Sequence, residues 1–310
     1  MKENKTLLFP RPLQKGDKIA FCSPAGAVKA VYVEEAVEAL GKQGWEAIIM
    51  PHALGKSGHY SGTADERFDD LEKAFADPEV RAIICSRGGY GVVHIMDRLA
   101  RLDLRSDPKW VVGFSDISAL HAMMHSKGIA SVHASMAEHI RLGDSDPDNA
   151  ALFAVLRGER PVYTFPSHEF DRCGIETGTL VGGNLAVLAE LINTPYDMIK
   201  PGTILFIEDV AEPIYKIERI LYQLQLSGVL AKLSGLIIGQ FTDYKPDESY
   251  ETMEEMIRDM VAGYKYPVAF NAPIGHVFHN IPLIESAKVT LKVSPSGTNS
   301  IIYHLSLIHI

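Results

Sequence analysis

The sequence predicts an α/β protein whose first half carries a mainly parallel sheet and whose second half is a separate α/β unit. Three observations predict it. From Lys18 to Ser126, short apolar runs alternate with segments of helical periodicity. Between about Gly143 and Gly178 that periodicity fades. A chain of 310 residues also exceeds the usual size of a single core.

In the first half, Lys18 to Ser23 reads as a strand that ends in Pro24-Ala25-Gly26. Val33, Ala36, Val37 and Leu40 then follow helical spacing, closed by Gly41 and Gly44. A second strand fits Glu46 to Met50. Thr63-Ala64-Asp65-Glu66 is a capping box, and Phe68, Leu71 and Phe75 share the helical face after it. Val80 to Cys85 reads as a buried strand broken by Gly88-Gly89, with a helix expected from Val92 to about Ala100. Trp110 to Phe114 is the next strand, and Asp116 to Ser126 the next helix. Such alternation argues for parallel strands covered on both faces.

The fading region holds Asp144-Ser145-Asp146-Pro147-Asp148 and Arg160-Pro161, so the expected division is a domain over 1–155, a linker over 156–178 and a domain over 179–310. In the last of these, helices are expected at Gly183 to Ile192, around Ile217 to Leu224, and near Tyr250 to Val261. Strands are expected at Thr203 to Ile207, Gly235 to Ile238, Val268 to Phe270 and Lys288 to Val293. Leu305 to Ile310 reads either as a final strand or as a foreign tail.

Composition narrows the function classes. A net charge of −9 disfavours a general nucleic-acid binder, which needs a basic surface. Three cysteines, Cys22, Cys85 and Cys173, fit neither a disulfide framework nor a four-ligand zinc site, so reduced, packed thiols are expected. No run approaches the ~18 apolar residues of a membrane span, and no signal peptide is visible after Met1. The expectation is a cytoplasmic protein.

Four places put reactive groups at strand ends. Gly113-Phe114-Ser115-Asp116 lies where a strand runs into a helix, so Ser115 is either a nucleophile on a sharp turn or an ordinary N-cap; Ile117 stands where a nucleophile elbow has its second glycine. Ser86-Arg87-Gly88-Gly89-Tyr90-Gly91 is either a loop that brings backbone N–H groups to a ligand or a tight turn. Glu208-Asp209 follows a buried strand, as a histidine-orienting carboxylate or a solvated strand end. Pro273-Ile274-Gly275-His276 offers a general base or an idle loop histidine. Together they supply a nucleophile, an acid and a base in the order Ser, Glu, His.

With these residues the chain resembles the LD-carboxypeptidase family of serine peptidases. The likeness runs from about Gly16 to Lys292. Besides the motifs above, it rests on Gly16-Asp17-Lys18-Ile19-Ala20, Ser23-Pro24-Ala25-Gly26, Ser118 after Ile117, Gly182-Gly183-Asn184-Leu185 and Leu205-Phe206-Ile207 before Glu208. The resemblance implies an N-terminal flavodoxin-like (amidotransferase-like) parallel-sheet domain, a smaller C-terminal α/β domain, and a site between them. It implies Ser115 as nucleophile, His276 as base and Glu208 as its orienter, with the backbone N–H groups of Gly89 and Asp116 as the oxyanion hole. It further implies no metal or other cofactor, and a homodimer.

The family's main branch releases terminal D-alanine from murein tetrapeptide in cell-wall recycling. Glu208 to Glu212 followed by Tyr215 to Arg219 look like that branch. The other branch, the microcin C immunity peptidases, cleaves peptidyl or aminoacyl nucleotides. Arg87 is the candidate for the substrate's terminal carboxylate, with Tyr90 beside it. From a different class, a non-catalytic ligand-binding module using the glycine loop stays open, as does a scaffolding protein on a peptidase fold.

Overall fold

The computed structural model describes residues 6–295 and 297–304, so the segment after His304 lies outside the described residues. The described residues divide into two compact units, residues 6–159 with 281–286, and residues 160–280 with 287–295 and 297–304.

The first unit begins with β1 (Lys18–Cys22), α1 (Ala30–Lys42), β2 (Glu46–Ile49), α2 (Ala64–Ala76) and β3 (Val80–Cys85). It continues through α3 (Met96–Leu99), β4 (Trp110–Gly113), α4 (Ser118–Lys127), β5 (Ser131–His133), α5 (Ala137–Ile140) and α6 (Pro147–Leu156). From the edge inward the strands run β2-β1-β3-β4-β5, all parallel. This is the flavodoxin-like order, with its switch point between β1 and β3. Ile19, Ala20, Phe21 and Cys22 are all fully buried, so both faces of β1 are covered, as the sequence alternation predicts.

Local chemistry sets the elements. Thr63 accepts from the Glu66 N–H while the Glu66 carboxylate accepts from the Thr63 N–H, so the capping box starts α2 as expected. α4 stops at Gly128, whose φ of +67° is a left-handed C-cap. The helix expected from Val92 to Ala100 is instead a 3₁₀ turn at Val92–His94 followed by the single-turn α3. The Val92 N–H donates to a side chain, the Asp116 carboxylate, and so anchors the start of this segment outside any helix. β5 escaped the sequence reading because three residues are too few to show a period.

The second unit contains β6 (Val162–Pro166), β7 (Gly174–Asn184), α7 (Leu185–Leu191), β8 (Thr203–Val210), α8 (Ile214–Leu226), β9 (Leu233–Thr242), α9 (Met253–Met260) and β10 (Val268–Ala269). After β11 (Leu283–Glu285) come β12 (Lys288–Val293) and β13 (Thr298–Tyr303). Its sheet runs β10-β9-β8-β7-β12-β13-β6, parallel from β10 to β7 and antiparallel beyond. α8 buries Ile214, Ile217, Leu221 and Leu224 along one stripe, the expected amphipathic helix.

Two boundaries differ from the sequence reading. The stretch 156–178 is no bare linker: it holds β6 and the start of β7. Only Phe165 of β6 is buried, so that edge strand shows no apolar alternation. Residues 281–286 also leave the second unit, because β11 pairs antiparallel with β5 and extends the first sheet. Cys22 and Cys85 are buried thiols paired in register on β1 and β3, and Cys173 is an exposed thiol. Among the described residues, no helix is long and apolar enough to cross a membrane.

Candidate active site

In the first unit, the sequence-predicted residues collect at the carboxyl ends of β1, β3 and β4. Open parallel sheets bind ligands at this edge, where the strand order reverses. β4 ends at Gly113, and Ser115 follows with φ +66°. A left-handed serine costs on the order of 1 kcal/mol or more and persists only where its surroundings over-determine it. Ser115 opens the 3₁₀ turn Ser115–Ile117, and neither that turn nor α4 has a side-chain N-cap. The ordinary N-cap reading therefore gives way to a sharp strand-to-helix turn.

The glycine loop after β3 packs directly on this turn. A Cβ at Gly88 would stand 2.7 Å from the Ser115 Cβ and 2.9 Å from its Oγ, so only glycine allows the approach. The loop is held at both ends: the Gly26 N–H donates to the Gly88 carbonyl at 2.9 Å, and the Val92 N–H to Asp116 Oδ2 at 2.9 Å. Asp116 is 4% exposed, so its carboxylate works as an internal tie.

His121 braces the turn from below. Its Nε2 bonds the Gly113 carbonyl and its Nδ1 the Ser131 hydroxyl, both at 2.8 Å. Burial pulls its pKa down to about 4, against the opposing effect of the Gly113 bond, so the ring is neutral. Since a carbonyl only accepts, Nε2 carries the proton and Nδ1 accepts from Ser131. Sequence reading passed over this residue because it lies inside a helix with no strand-end signal.

Arg87 is exposed and its Nη1 donates to the Ala27 carbonyl at 2.7 Å. Tyr90 is 54% exposed, its ring edge-on to His94 with centroids 5.2 Å apart.

The second unit brings Glu208 and His276 together. His276 Nδ1 lies 2.7 Å from Glu208 Oε2, with Glu208 fully buried and the imidazole partly open. A carboxylate only accepts, so Nδ1–H donates and the basic lone pair sits on Nε2. Burial lowers the His276 pKa, but the Glu208 bond and charge, with Asp209 and Asp243 behind them, outweigh it and raise the value. Gly275, at φ +125°, makes room: a Cβ there would lie 2.9 Å from the Glu208 Cβ. Its N–H donates to Asn280 Oδ1 at 2.9 Å, which fixes the loop.

Adjacent strand residues face opposite ways, and this separates Glu208 from Asp209. Asp209 turns to α7, accepting from the Asn184 amide and from the Ala186 and Val210 N–H groups at 2.9 Å each. Burial pushes its pKa up to about 6 despite those bonds. Asn184 in turn caps α7 through the Val187 N–H. The Gly182-Gly183-Asn184-Leu185 motif thus supports the dyad's strand.

Two groups among the described residues set ligand-type atoms within 4.8 Å of one another: His52 with Asp69 and Asp70, and His139 with Asp146 and Asp148. In both, backbone N–H groups already hold a carboxylate. Asp70 accepts from the His52 N–H, and Asp146 caps α6. Neither group includes a residue of the nucleophile turn or the dyad.

Comparison with known proteins follows this division. Residues 19–134 match the LD-carboxypeptidase N-terminal domain, and residues 177–291 the LD-carboxypeptidase C-terminal domain. The murein tetrapeptide carboxypeptidase of Pseudomonas aeruginosa is 31% identical over 278 residues, covering 85% of this chain and 89% of that protein. Among solved structures, the muramoyltetrapeptide carboxypeptidase of Oxalobacter formigenes superposes with a TM-score of 0.84 at 25% identity, over 93% of this chain and 99% of that one. The microcin C7 self-immunity protein MccF, solved without ligand, has the same TM-score at 21% identity, over 96% and 99%. At that identity the likeness is one of fold.

Proposed function

Because the chain belongs to the LD-carboxypeptidase family and is a peptidase of that type, we propose that it hydrolyses the L-to-D peptide bond releasing terminal D-alanine from murein tetrapeptide. The observation that carries this reading is the 2.7 Å bond between His276 and the buried Glu208, which sets the imidazole up as a base. In the proposed mechanism, His276 Nε2 takes the Ser115 proton as Oγ attacks the carbonyl before D-alanine. The N–H groups of Gly89 and Asp116 meet the developing oxyanion. The tetrahedral intermediate collapses, His276 protonates the leaving amine, and water then hydrolyses the acyl-enzyme by the same base. Arg87 pairs with the terminal carboxylate, which distinguishes an exopeptidase substrate, and Tyr90 lines that end. The reading places the protein in the cytoplasm, where murein peptides are recycled, as a homodimer testable by light scattering.

The test is D-alanine release from murein tetrapeptide, followed by mass spectrometry with Ser115→Ala in parallel. Release by the wild type alone supports the activity and its nucleophile. A second reading, cleavage of peptidyl or aminoacyl nucleotides, draws support from the MccF-like fold. Turnover of a peptidyl nucleotide with the tetrapeptide left intact would favour it. A protein that binds either substrate and turns over neither would be the ligand-binding module.

A further inference from the structure

Arg67 is a cation in an unusual place. It sits on α2, 3% exposed, and no carboxylate lies within ion-pair distance of it among the described residues. Its guanidinium is instead spent on backbone carbonyls. Nη1 donates to Pro24 O at 2.6 Å and Gly91 O at 2.8 Å, and Nε to Gly62 O at 3.2 Å. Nη2 lies 3.3 Å from His94 Nδ1, and the Tyr60 ring packs 5.0 Å away. Burying a guanidinium with no carboxylate in direct contact is costly: burial pulls the Arg67 pKa down, and Tyr60 and the Asp116 charge oppose that only in part. A helix needing only an apolar face would use leucine here, as it does at Leu71.

The three carbonyls belong to three different segments. Pro24 is on the turn after β1, Gly62 on the approach to α2, and Gly91 at the end of the glycine loop. The turn after β1 and the glycine loop flank the switch point, and a single guanidinium spans both. Other bonds also join the two segments, the Gly26 N–H to Gly88 O at 2.9 Å and the exposed Arg87 guanidinium to Ala27 O at 2.7 Å, but among these only Arg67 is buried and holds Gly91.

We propose that Arg67 is a positioning residue for the oxyanion donor: by clamping Pro24 and Gly91 together it fixes the peptide plane that aims the Gly89 N–H. This inference rests on the proposed function, in which Gly89 is that donor. Fixed donors stabilise a developing oxyanion because they need no reorganisation as charge appears. A lysine cannot replace the fork, since three carbonyls in different directions need a planar, multi-donor group.

The test compares wild type, Arg67→Lys and Arg67→Gln by the rate at which a fluorophosphonate probe labels Ser115, alongside thermal melts and D-alanine release. Phosphonylation passes through the same oxyanion but does not depend on the tetrapeptide. The expected result is labelling slowed at least ~30-fold in folded Arg67→Lys, with kcat falling in parallel and KM changed less than about threefold. Added guanidinium should restore part of the rate in Arg67→Gln. If both variants fail to fold, Gly91→Ala serves instead, since its Cβ would stand 2.6 Å from Arg67 Nη1 and displace the clamp. Labelling of a folded Arg67→Lys within threefold of wild type would overturn the proposal and leave the peptidase reading standing. A wild type that the probe does not label would overturn both.

Discussion

Ser115 shows what strain at one residue implies for experiment. Its left-handed backbone, pressed against Gly88, holds energy that glycine at 115 would release. Ser115→Gly is therefore expected to melt higher than wild type, by about 1 kcal/mol in stability, while Ser115→Ala, which keeps the Cβ, gains no such relief. Both should lose at least ~10⁴-fold in kcat, measured by D-alanine release. His276 yields a pH prediction. Glu208 raises its pKa, so the rate should climb with pH through a value above the ordinary ~6.5, because the base acts only when neutral. The stability linked to this raised pKa has the opposite sense: full below ~6.5 and lost as pH rises through the folded value. In Glu208→Gln the acidic limb of kcat/KM should move to lower pH, with a smaller loss of kcat than in Ser115→Ala. A limb that stays in place would mean the carboxylate does not set the base.

At the scale of elements, the two carboxylates at the end of β8 do different work because a strand alternates its faces. Asp209→Ala removes the acceptor for three donors, two at the start of α7 and one on β8, and should cost about 1–3 kcal/mol, seen in chemical denaturation. Its effect on kcat should be far smaller than that of Glu208→Ala. Gly275→Ala tests the opposite balance. The added methyl meets the Glu208 Cβ at 2.9 Å, so the 2.7 Å dyad must open and kcat should fall at least ~10²-fold. Capping is less consequential: Thr63→Ala should cost α2 about 1 kcal/mol without touching turnover.

On the scale of the whole molecule, the chain leaves the second unit at residue 281, adds β11 to the first sheet, and returns. A fragment of residues 1–159 therefore lacks an edge strand and bares the pairing groups of β5, a template for aggregation. It should express poorly or elute as large species in size-exclusion chromatography, whereas the intact chain should not. A fragment that melts cooperatively as a monomer would show that β11 contributes nothing to the first unit.

Much of this was legible in the residues. Periodicity located β1, α1, β3, β4, β8 and α8, and the Thr63 capping box marked the start of α2, because buried strands and amphipathic helices write their burial into the order of side chains. The motifs placed Ser115 and the glycine loop just past strand ends, as the structure has them, whereas Glu208 lies within β8, two residues before its end, and His276 in a loop seven residues past β10. Short or edge elements were not legible: β5 and β11 have three residues each, and β6 buries one, so none displays a period. Nor could sequence distinguish the jobs of Glu208 and Asp209, or see that Arg67 and His121 brace the loop and the turn. Those roles depend on which backbone carbonyls and side chains, up to 68 residues apart, arrive within hydrogen-bond distance. The sequence by itself determined the longer buried elements, their order and the candidate reactive residues, since these follow from local pattern. Tertiary structure alone decided the pairing of Glu208 with His276, the strain at Ser115 and the clamp at Arg67, because long-range packing sets distance and direction.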